Sequence, residues 1–206
     1  MLIQASLLTV IAYLVGSIST GVLLSKLSGR GNLQAEGSKS IGATNVSRLM
    51  GLKWGILTLI GDALKGMLMI WIGQWVFAGE GELGQFYITL MALAVFLGHI
   101  FPVFLGFKGG KGVATALGIF ILLGPKAILV AIPVFVLVVL LGKYVSLGSI
   151  VAAASFPVLM IVFSYPVYTV CLAVVIAASI ILKHKANIQR LIRGEEKPWR
   201  GKEKAA

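Results

Sequence analysis

Charged residues are scarce in this sequence. They make up 12% of its 206 residues, whereas 58% are hydrophobic, and the mean hydropathy is +0.99. A soluble domain carries about 25% charged residues. The polar side chains are too few to cover a hydrophobic core against water, so lipid must be the surrounding solvent. The composition therefore predicts an integral membrane protein.

Cysteine and metal-binding side chains are scarce as well. The lone cysteine, Cys171, lies in an apolar run, which excludes a framework of disulfides. Two histidines and seven acidic residues are too few to favour a dedicated metal site, and we expect no cofactor. Linkers rich in glycine, serine or proline are also missing, so we predict a single domain over residues 1–206.

Positive charge, in contrast, is abundant, and the net charge is +11. The basic residues fall in a few loops and in the tail after Leu182, and they form no stripe of the kind that binds nucleic acid. In a membrane protein this distribution marks the cytoplasmic loops. It can also attract anionic lipids or anionic substrates, and for the tail both interpretations stay open.

Hydrophobic stretches long enough to cross a bilayer, about 20 residues each, follow one another along the chain. The stretch at 113–139 is too long for one span, and we divide it at Gly124–Pro125, next to a predicted exposed turn at Lys126. The result is an all-α bundle of seven transmembrane helices. The first three predicted spans are residues 2–26, 51–77 and 86–104, and the last two are 148–163 and 167–182. The two parts of the divided stretch are the fourth and fifth, and the fifth ends near Leu141.

An odd number of spans puts the two ends of the chain on opposite sides of the membrane. The loop at 26–53, Lys108, Lys111, Lys143 and the tail then share one side, which their charge identifies as cytoplasmic. The N-terminus is predicted to lie outside. No Lys or Arg precedes the first stretch, so we interpret it as a retained helix and not as a cleavable signal peptide.

Two segments rich in glycine and hydroxyl groups lie on the predicted cytoplasmic side. Residues 37–48 read GSKSIGATNVSR, whose open backbone, hydroxyls, amide and guanidinium suit a phosphate. Residues 106–115 read GFKGGKGVAT, where glycines precede a helix and so favour an anion. The second is not a nucleotide P-loop, because Leu105 stands where the first glycine would be and Gly112 follows the lysine.

Both segments also have a simpler explanation. The first could be a solvated loop that enters a helix, with Thr44 or Asn45 as its cap. The second could be a tight turn whose lysines only set the topology. His99, just before it, is on its own more typical of a structural histidine than of a catalyst.

Further polar groups lie at 143–149 and 183–190. In a continuous helix, His184 and Asn187 would share a face at i, i+3 and point together at the membrane surface. Within the second span, Asp62 and Lys65 have the same spacing. A charge inside the membrane is a functional hypothesis by default, but a self-neutralising structural pair is the favoured interpretation. No Ser-His-Asp set can be argued.

Taken together, the segments resemble the acyl-phosphate-dependent glycerol-3-phosphate acyltransferases of bacteria, the PlsY family. The resemblance runs in order through the stretch at 16–18, GSxxIGATNVxR at 37–48, GHxFPVFLxFKGGKGVAT at 98–115, YVSLGS at 144–149 and KHxxNIxRL at 183–191. It covers nearly the whole chain. Two departures stand out, because the family usually has Pro in place of Ser19 and Gly-Asn in place of Lys39-Ser40.

The resemblance implies transfer of a fatty acyl group from acyl-phosphate to the 1-hydroxyl of sn-glycerol 3-phosphate, which gives lysophosphatidic acid and phosphate. It also implies a multi-pass protein of the bacterial inner membrane, a cytoplasmic active site, contact with membrane lipids and a monomer. An acyl-phosphate is already activated, so positioning and charge stabilisation can supply most of the rate.

The family motifs also imply roles for individual residues. The catalytic set is Ser38, Arg48, Lys111, His184 and Asn187. In it, Arg48 and Lys111 bind phosphate, His184 and Asn187 hold glycerol 3-phosphate, and Ser38 orients a substrate group. The remaining substrate-binding residues are Gly37, Thr44, Asn45, Gly109, Gly110, Gly112, Ser146 and Ser149. The general base stays open between His184 and a phosphate oxygen of the substrate.

Two other function classes are compatible with parts of this pattern. A small transporter for an anionic phosphorylated metabolite would use the same basic loops around broken helices. The polar groups collect at one face, however, and the sequence shows no paired half-helices. A structural membrane subunit would leave the polar loops without a purpose.

Overall fold

The computed structural model describes residues 1–29 and 32–199, and within these ranges every regular element is helical. The described chain divides into two compact units, residues 1–124 and residues 125–199. Large apolar side chains on the helices are widely exposed, among them Trp75, Leu129 and Leu141. Such an exposed apolar surface is what a lipid-facing helix requires.

Unit 1 consists of six α-helices and a short 3-10 turn at Val103–Leu105. Helix α1 packs against α5, and α4 packs against α3, α5 and α6. The helices are α1 (Leu2–Ser17), α2 (Thr20–Leu27), α3 (Ala43–Met50), α4 (Leu52–Val76), α5 (Gly81–Ile100) and α6 (Val113–Leu123).

Unit 2 consists of four α-helices, in which α8 packs against both α7 and α9. The helices are α7 (Pro125–Gly142), α8 (Val145–Val162), α9 (Val167–Lys183) and α10 (Lys185–Ile192). Residues 193–199, which we call the C-terminal strap, return to the start of α8: the Trp199 backbone N–H donates to the carbonyl of Lys143 at 2.8 Å.

The division of the long apolar stretch at Gly124–Pro125 is confirmed, since α6 ends at Leu123 and α7 begins at Pro125. Within residues 1–29 and 32–199, four helices are long and apolar enough to cross a membrane, and the number of such spans rises to six if each of two bent pairs counts as one. Helix α6 has 11 residues, a rise of about 16 Å. It is therefore much shorter than the roughly 30 Å hydrocarbon core.

Two of the predicted spans are bent in the structure. The stretch at 2–26 divides directly after Gly16 and Ser17, the two residues that interrupt its apolar sequence, and its halves α1 and α2 meet at 46°. The Ser19 hydroxyl accepts the backbone N–H of Val22 and so caps α2. The predicted continuous helix through His184 is also interrupted, because α9 and α10 meet at 55° at that residue.

Candidate active site

Asn45 organises the loop that carries the first polar segment. Its side chain is 1% exposed. The amide oxygen accepts the backbone N–H of Ser38 at 2.8 Å, and the amide nitrogen lies 2.8–3.3 Å from three carbonyl oxygens. Those carbonyls belong to Leu33, Glu36 and Ser40. The side chain therefore holds the loop, and it does not act as a cap, since the N-cap of α3 is Gly42.

The other polar residues of this loop are arranged around Asn45. Gly37 has a φ of +61°, and a side chain there would collide with the Asn45 amide oxygen, so the position requires glycine. Ser38 is exposed, and Thr44 is half-buried in the first turn of α3. Arg48 is exposed in the last turn of the same helix. Ser38, Thr44 and Arg48 thus belong to one rigid loop-helix unit.

The second polar segment packs tightly on the end of α5. The Gly110 backbone N–H donates to the His99 carbonyl at 3.1 Å, and a side chain at Gly110 would collide with the His99 ring. A side chain at Gly109 would collide with the His99 carbonyl, and one at Gly112 with the Phe96 ring. These glycines are needed for close approach, which leaves Lys111 half-buried one residue before the N-cap of α6.

The two polar segments adjoin each other in unit 1. The Gln34 side-chain amide, in the first loop, donates to the carbonyl of Lys108 at 3.3 Å. Each segment contains a helix N-terminus, at Ala43 for α3 and at Val113 for α6. Backbone N–H groups at such ends attract anions. Unit 1 therefore presents two segments whose geometry suits an anion, and each of them carries a cation, Arg48 or Lys111.

Lys39 lies beside Ser38 in an uncommon backbone conformation. Its φ is +55°, in the left-handed region that favours glycine. The resemblance drawn from the sequence implies glycine as the usual residue at this position, and the observed φ is a physical reason for that preference. In this chain the loop carries an exposed ammonium there.

His184 and Asn187 are both buried in unit 2, at 3% and 5% exposure. The Nδ1 of His184 lies 2.8 Å from the carbonyl oxygen of Ile180. A carbonyl can only accept, so this contact assigns the proton to Nδ1 and makes Nε2 the acceptor of the neutral ring. The Asn187 amide nitrogen donates to Glu196 at 2.7 Å.

Glu196 is the polar residue that the sequence analysis missed. It lies in the C-terminal strap, 7% exposed, and accepts from the Ser146 hydroxyl at 2.7 Å as well as from Asn187. Its second oxygen pairs with Arg190 at 2.6 Å. Two adjacent acids, Glu195 and Glu196, in a mostly basic tail are the signal that could have revealed it, because acids there have cationic and amide partners close in sequence.

Several forces act on the pKa of the Glu196 carboxyl. Burial raises the pKa, but hydrogen bonds from Ser146, Asn187 and Arg190, together with the Arg190 charge, outweigh burial. The net effect lowers the pKa below its ordinary value, so the carboxylate is ionised at neutral pH. Ser146 thus has a structural partner, and the Ser149 hydroxyl likewise donates to the Val145 carbonyl at 2.9 Å within α8.

Each unit therefore brings together part of the predicted site. In unit 1 the loop before Ser38 contacts the segment of Lys111 through the Gln34–Lys108 hydrogen bond, and in unit 2 Ser146 and Asn187 share Glu196. The predicted Asp62–Lys65 ion pair is confirmed, with 2.9 Å between the charged atoms. Among residues 1–29 and 32–199, no three metal-binding side chains of His, Cys, Asp or Glu form a cluster.

Comparison with known proteins gives a consistent result. The family profile of glycerol-3-phosphate acyltransferase matches residues 6–194. The chain is 49% identical to the glycerol-3-phosphate acyltransferase of Syntrophotalea carbinolica, covering 90% of this chain and 92% of that one. It is 50% identical to that of Trichlorobacter lovleyi, covering 92% and 94%.

The fold is similar to a crystal structure of PlsY (YgiH), described as an integral membrane glycerol 3-phosphate acyltransferase in its glycerol 3-phosphate form. The TM-score is 0.88 and the identity 42%, with 95% of each chain covered. The lysophosphatidic acid form of the same protein gives a TM-score of 0.85 at 40% identity, again with 95% of each chain covered. Sequence and fold agree, and the chain belongs to the PlsY family of integral membrane glycerol-3-phosphate acyltransferases, which act in phospholipid biosynthesis.

Proposed function

We propose that this protein transfers a fatty acyl group from acyl-phosphate to the 1-hydroxyl of sn-glycerol 3-phosphate. The observation that carries the proposal is the pair of adjoining anion-binding segments in unit 1, joined by the Gln34–Lys108 hydrogen bond. Both substrates carry a phosphate, so the reaction needs more than one anion site. Family membership favours this reaction over the transporter and the structural subunit.

The chemistry needs no covalent intermediate on the protein. The 1-hydroxyl oxygen attacks the carbonyl carbon of the acyl-phosphate, a new ester C–O bond forms, and the bond between that carbon and the phosphate oxygen breaks. Inorganic phosphate leaves with the electron pair. Arg48 and Lys111 stabilise the phosphate charge, while the backbone of Gly109 and Gly112 holds the donor head group. Gly110 supports this segment from below, because its N–H donates to the His99 carbonyl.

The proton of the attacking hydroxyl must go to a base. The hydrogen-bond geometry of His184 leaves Nε2 as the acceptor nitrogen in the neutral ring, which supports His184 in this role. A substrate phosphate oxygen is the other acceptor with suitable chemistry. Asn187 donates its amide nitrogen to Glu196, which fixes the side chain. In the proposal this residue, together with His184, holds glycerol 3-phosphate.

Two residues of the proposed set take supporting roles. The side chain of Asn45 is occupied by four backbone groups, so its contribution to the donor site is the shape of the loop that presents Ser38 and Thr44. Ser146 likewise acts through Glu196, by fixing the carboxylate beside Asn187.

The proposal includes the arrangement of the chain in the membrane. Counting α6 together with the four long helices and the two bent pairs gives seven spans, an external N-terminus and a cytoplasmic C-terminus. The protein works as a monomer and a single functional domain in the bacterial inner membrane, among membrane lipids, with the polar segments facing the cytoplasm. It uses no metal and no cofactor.

The test is turnover by the purified protein in detergent or nanodiscs. With acyl-phosphate and glycerol 3-phosphate, we expect phosphate release matched one-to-one by lysophosphatidic acid, measured by mass spectrometry. Omitting glycerol 3-phosphate should abolish the acylated product. Two further arms replace acyl-phosphate by acyl-CoA, which should not support turnover, and add EDTA, which should leave turnover unchanged. Comparable turnover with acyl-CoA would contradict the proposed donor, and loss in EDTA that magnesium restores would contradict metal independence.

A further inference from the structure

Four polar residues, Thr20, Asp62, Lys65 and His99, meet at the α1–α2 break of unit 1. Asp62 is 1% exposed, Lys65 8% and His99 4%. One Asp62 carboxylate oxygen lies 2.9 Å from the Lys65 ammonium, 3.1 Å from the Thr20 hydroxyl and 3.8 Å from His99 Nδ1. A buried ion pair contributes little net stability compared with apolar residues of the same shape. Its presence therefore calls for an explanation other than stability.

The pair lies at the break between α1 and α2. A helix break leaves backbone groups without their intrahelical partners, and in lipid no water can replace them. The Lys65 ammonium donates to the Ile18 carbonyl at 2.7 Å. The backbone N–H of Thr20 points to the Asp62 carboxylate at 3.4 Å. The two charges thus satisfy a carbonyl and an amide that the break exposes, and they fix the direction in which α2 leaves α1.

Helix α2 in turn supports the first polar segment. Gly21 lies so close to the Ile41 carbonyl that a side chain there would collide with it, and the Val46 side chain would be 3.0 Å from the added atom. Ile41 is 1% exposed and immediately precedes the N-cap of α3. The angle of α2 therefore sets the position of Ile41 and of the segment around it.

His99 connects the same pair to the second polar segment. One side of its ring faces Asp62, and Gly110 is packed against Nε2 on the other side. Its carbonyl also accepts the Gly110 backbone N–H at 3.1 Å. Any shift of His99 relative to Asp62 would move the backbone beside Lys111.

We propose that Asp62 and Lys65 are positioning residues that set the two polar segments of unit 1 relative to each other. One connection runs through the α1–α2 break and Gly21 to Ile41, and the other runs through His99 to Gly110. The expected effect on kcat rests on the function proposed above. The expected effect on the distance between the two segments does not depend on that function.

Single and double substitutions of Asp62 and Lys65 separate an effect on folding from an effect on the position of the two segments. Asp62→Asn or Lys65→Met alone leaves one buried charge unpaired and should lower the melting temperature strongly. The double variant removes both charges and should recover much of that loss. Its kcat should nevertheless stay about 10- to 100-fold below that of the unaltered protein, with a smaller change in KM for glycerol 3-phosphate, because misplaced groups slow the reaction more than they weaken binding.

Two further variants keep the test decisive if the double variant does not fold. Thr20→Val preserves shape but removes one donor to Asp62, and should lower kcat a few-fold with folding intact. Met69→Ala, at a buried apolar position of the same helix, should lower the melting temperature but leave the kcat of the folded protein unchanged. If the double variant or Thr20→Val has the unaltered kcat, the inference is wrong.

A structural measurement makes the result independent of the reaction. Spin labels at Ala35→Cys and Lys108→Cys, both exposed, report the distance between the two segments after Cys171→Ala removes the native thiol. Pulsed EPR should give a narrow distance distribution in the otherwise unaltered protein and a broad or shifted one when Asp62 and Lys65 are replaced together. An unchanged narrow distribution would overturn the inference. Absence of turnover in the unaltered protein would instead count against the proposed function alone.

Discussion

At the scale of single residues, Lys111 is the group whose charge should matter most. It is half-buried between glycines just before α6, so its ammonium can approach a bound phosphate. If it stabilises the charge that develops as the anhydride breaks, Lys111→Ala should lower kcat by about 10²- to 10³-fold, as loss of one preorganised donor does. Steady-state phosphate release measures this.

Lys108 is the matched control for that prediction. It is exposed, and its contact with the first loop is made by its backbone carbonyl, which Lys108→Ala retains. Both substitutions remove one positive charge from the same segment, so general attraction of anionic substrates weakens equally. Equal loss of activity in the two variants would mean that the lysines only steer substrates.

Asn45 gives a residue-scale prediction about stability. Asn45→Asp keeps the shape of the side chain but turns its amide nitrogen, which donates to backbone carbonyls, into an oxygen that repels them. We expect a loss of about 3 kcal/mol in unfolding free energy, measured as a lower melting temperature in detergent. Asn32→Asp is the control, because the exposed Asn32 oxygen only accepts a hydrogen bond and a carboxylate preserves that. A similar loss of unfolding free energy at Asn45 and Asn32 would contradict the role of the Asn45 amide nitrogen as a donor to the loop carbonyls.

At the scale of elements, close helix crossings depend on small residues. In α4, a side chain at Gly66 would lie 2.6 Å from the backbone carbonyl oxygen of Thr115 in α6. Gly66→Ala should therefore force α4 and α6 apart and cost about 1–3 kcal/mol. Gly73→Ala, in the same helix, would meet only the flexible ends of Met91 and Ile88 at 3.2–3.3 Å. Gly73→Ala should therefore leave the melting temperature nearly unchanged. Equal melting temperatures for Gly66→Ala and Gly73→Ala would contradict the importance of the close α4–α6 crossing.

The C-terminal strap should be sensitive to acid through Glu196. The folded-state pKa of its carboxyl is lowered by its hydrogen bonds and by Arg190. Its stabilising contribution is therefore complete above the unfolded-state pKa and is lost as pH falls through that value toward the lower folded-state pKa. The melting temperature of Glu196→Gln should lie below that of the unaltered protein at neutral pH, and the gap should close in acid.

Glu195→Gln controls for the loss of one acidic charge next to Glu196. Glu195 is exposed in the same strap. Its substitution should leave the melting temperature unchanged from neutral pH to acid. If the difference in melting temperature between Glu196→Gln and the unaltered protein stays constant with pH, the Glu196 carboxylate does not hold the C-terminal strap in place.

At the scale of the whole molecule, the proposed topology can be measured directly. In a Cys171→Ala background, Leu2→Cys and Glu80→Cys should react with a membrane-impermeant thiol reagent from outside the cell. Lys53→Cys and Glu195→Cys should react only after the membrane is opened, because the basic loops are retained in the cytoplasm. Labelling of Leu2→Cys and Glu195→Cys from the same side would show an even number of spans, and the assignment of the polar segments to the cytoplasm would then be wrong.

Much of the architecture could be predicted from local sequence, because a bilayer requires every backbone polar group to find a partner within the protein. Apolar stretches had to become helices, since lipid offers no partner for an open backbone. Gly124–Pro125 had to interrupt one of them, and α6 and α7 do meet there. The polar segments at 37–48 and 106–115 were recognisable because glycines, hydroxyls and cations are concentrated there, between the apolar stretches.

Tertiary structure decided what could not be read along the chain. The angle at the break after Ser17 and the buried set of Asp62, Lys65 and His99 depend on how α1, α4 and α5 pack, because they join residues far apart in sequence. Asn45 and Glu196 acquire their roles only from carbonyls and side chains that folding brings to them. The sequence by itself determined a helical membrane protein, and its motifs predicted an acyltransferase with segments suited to phosphate. Which polar side chains hold those segments in place was decided by three-dimensional contacts, because each buried polar group must find its partner wherever packing puts one.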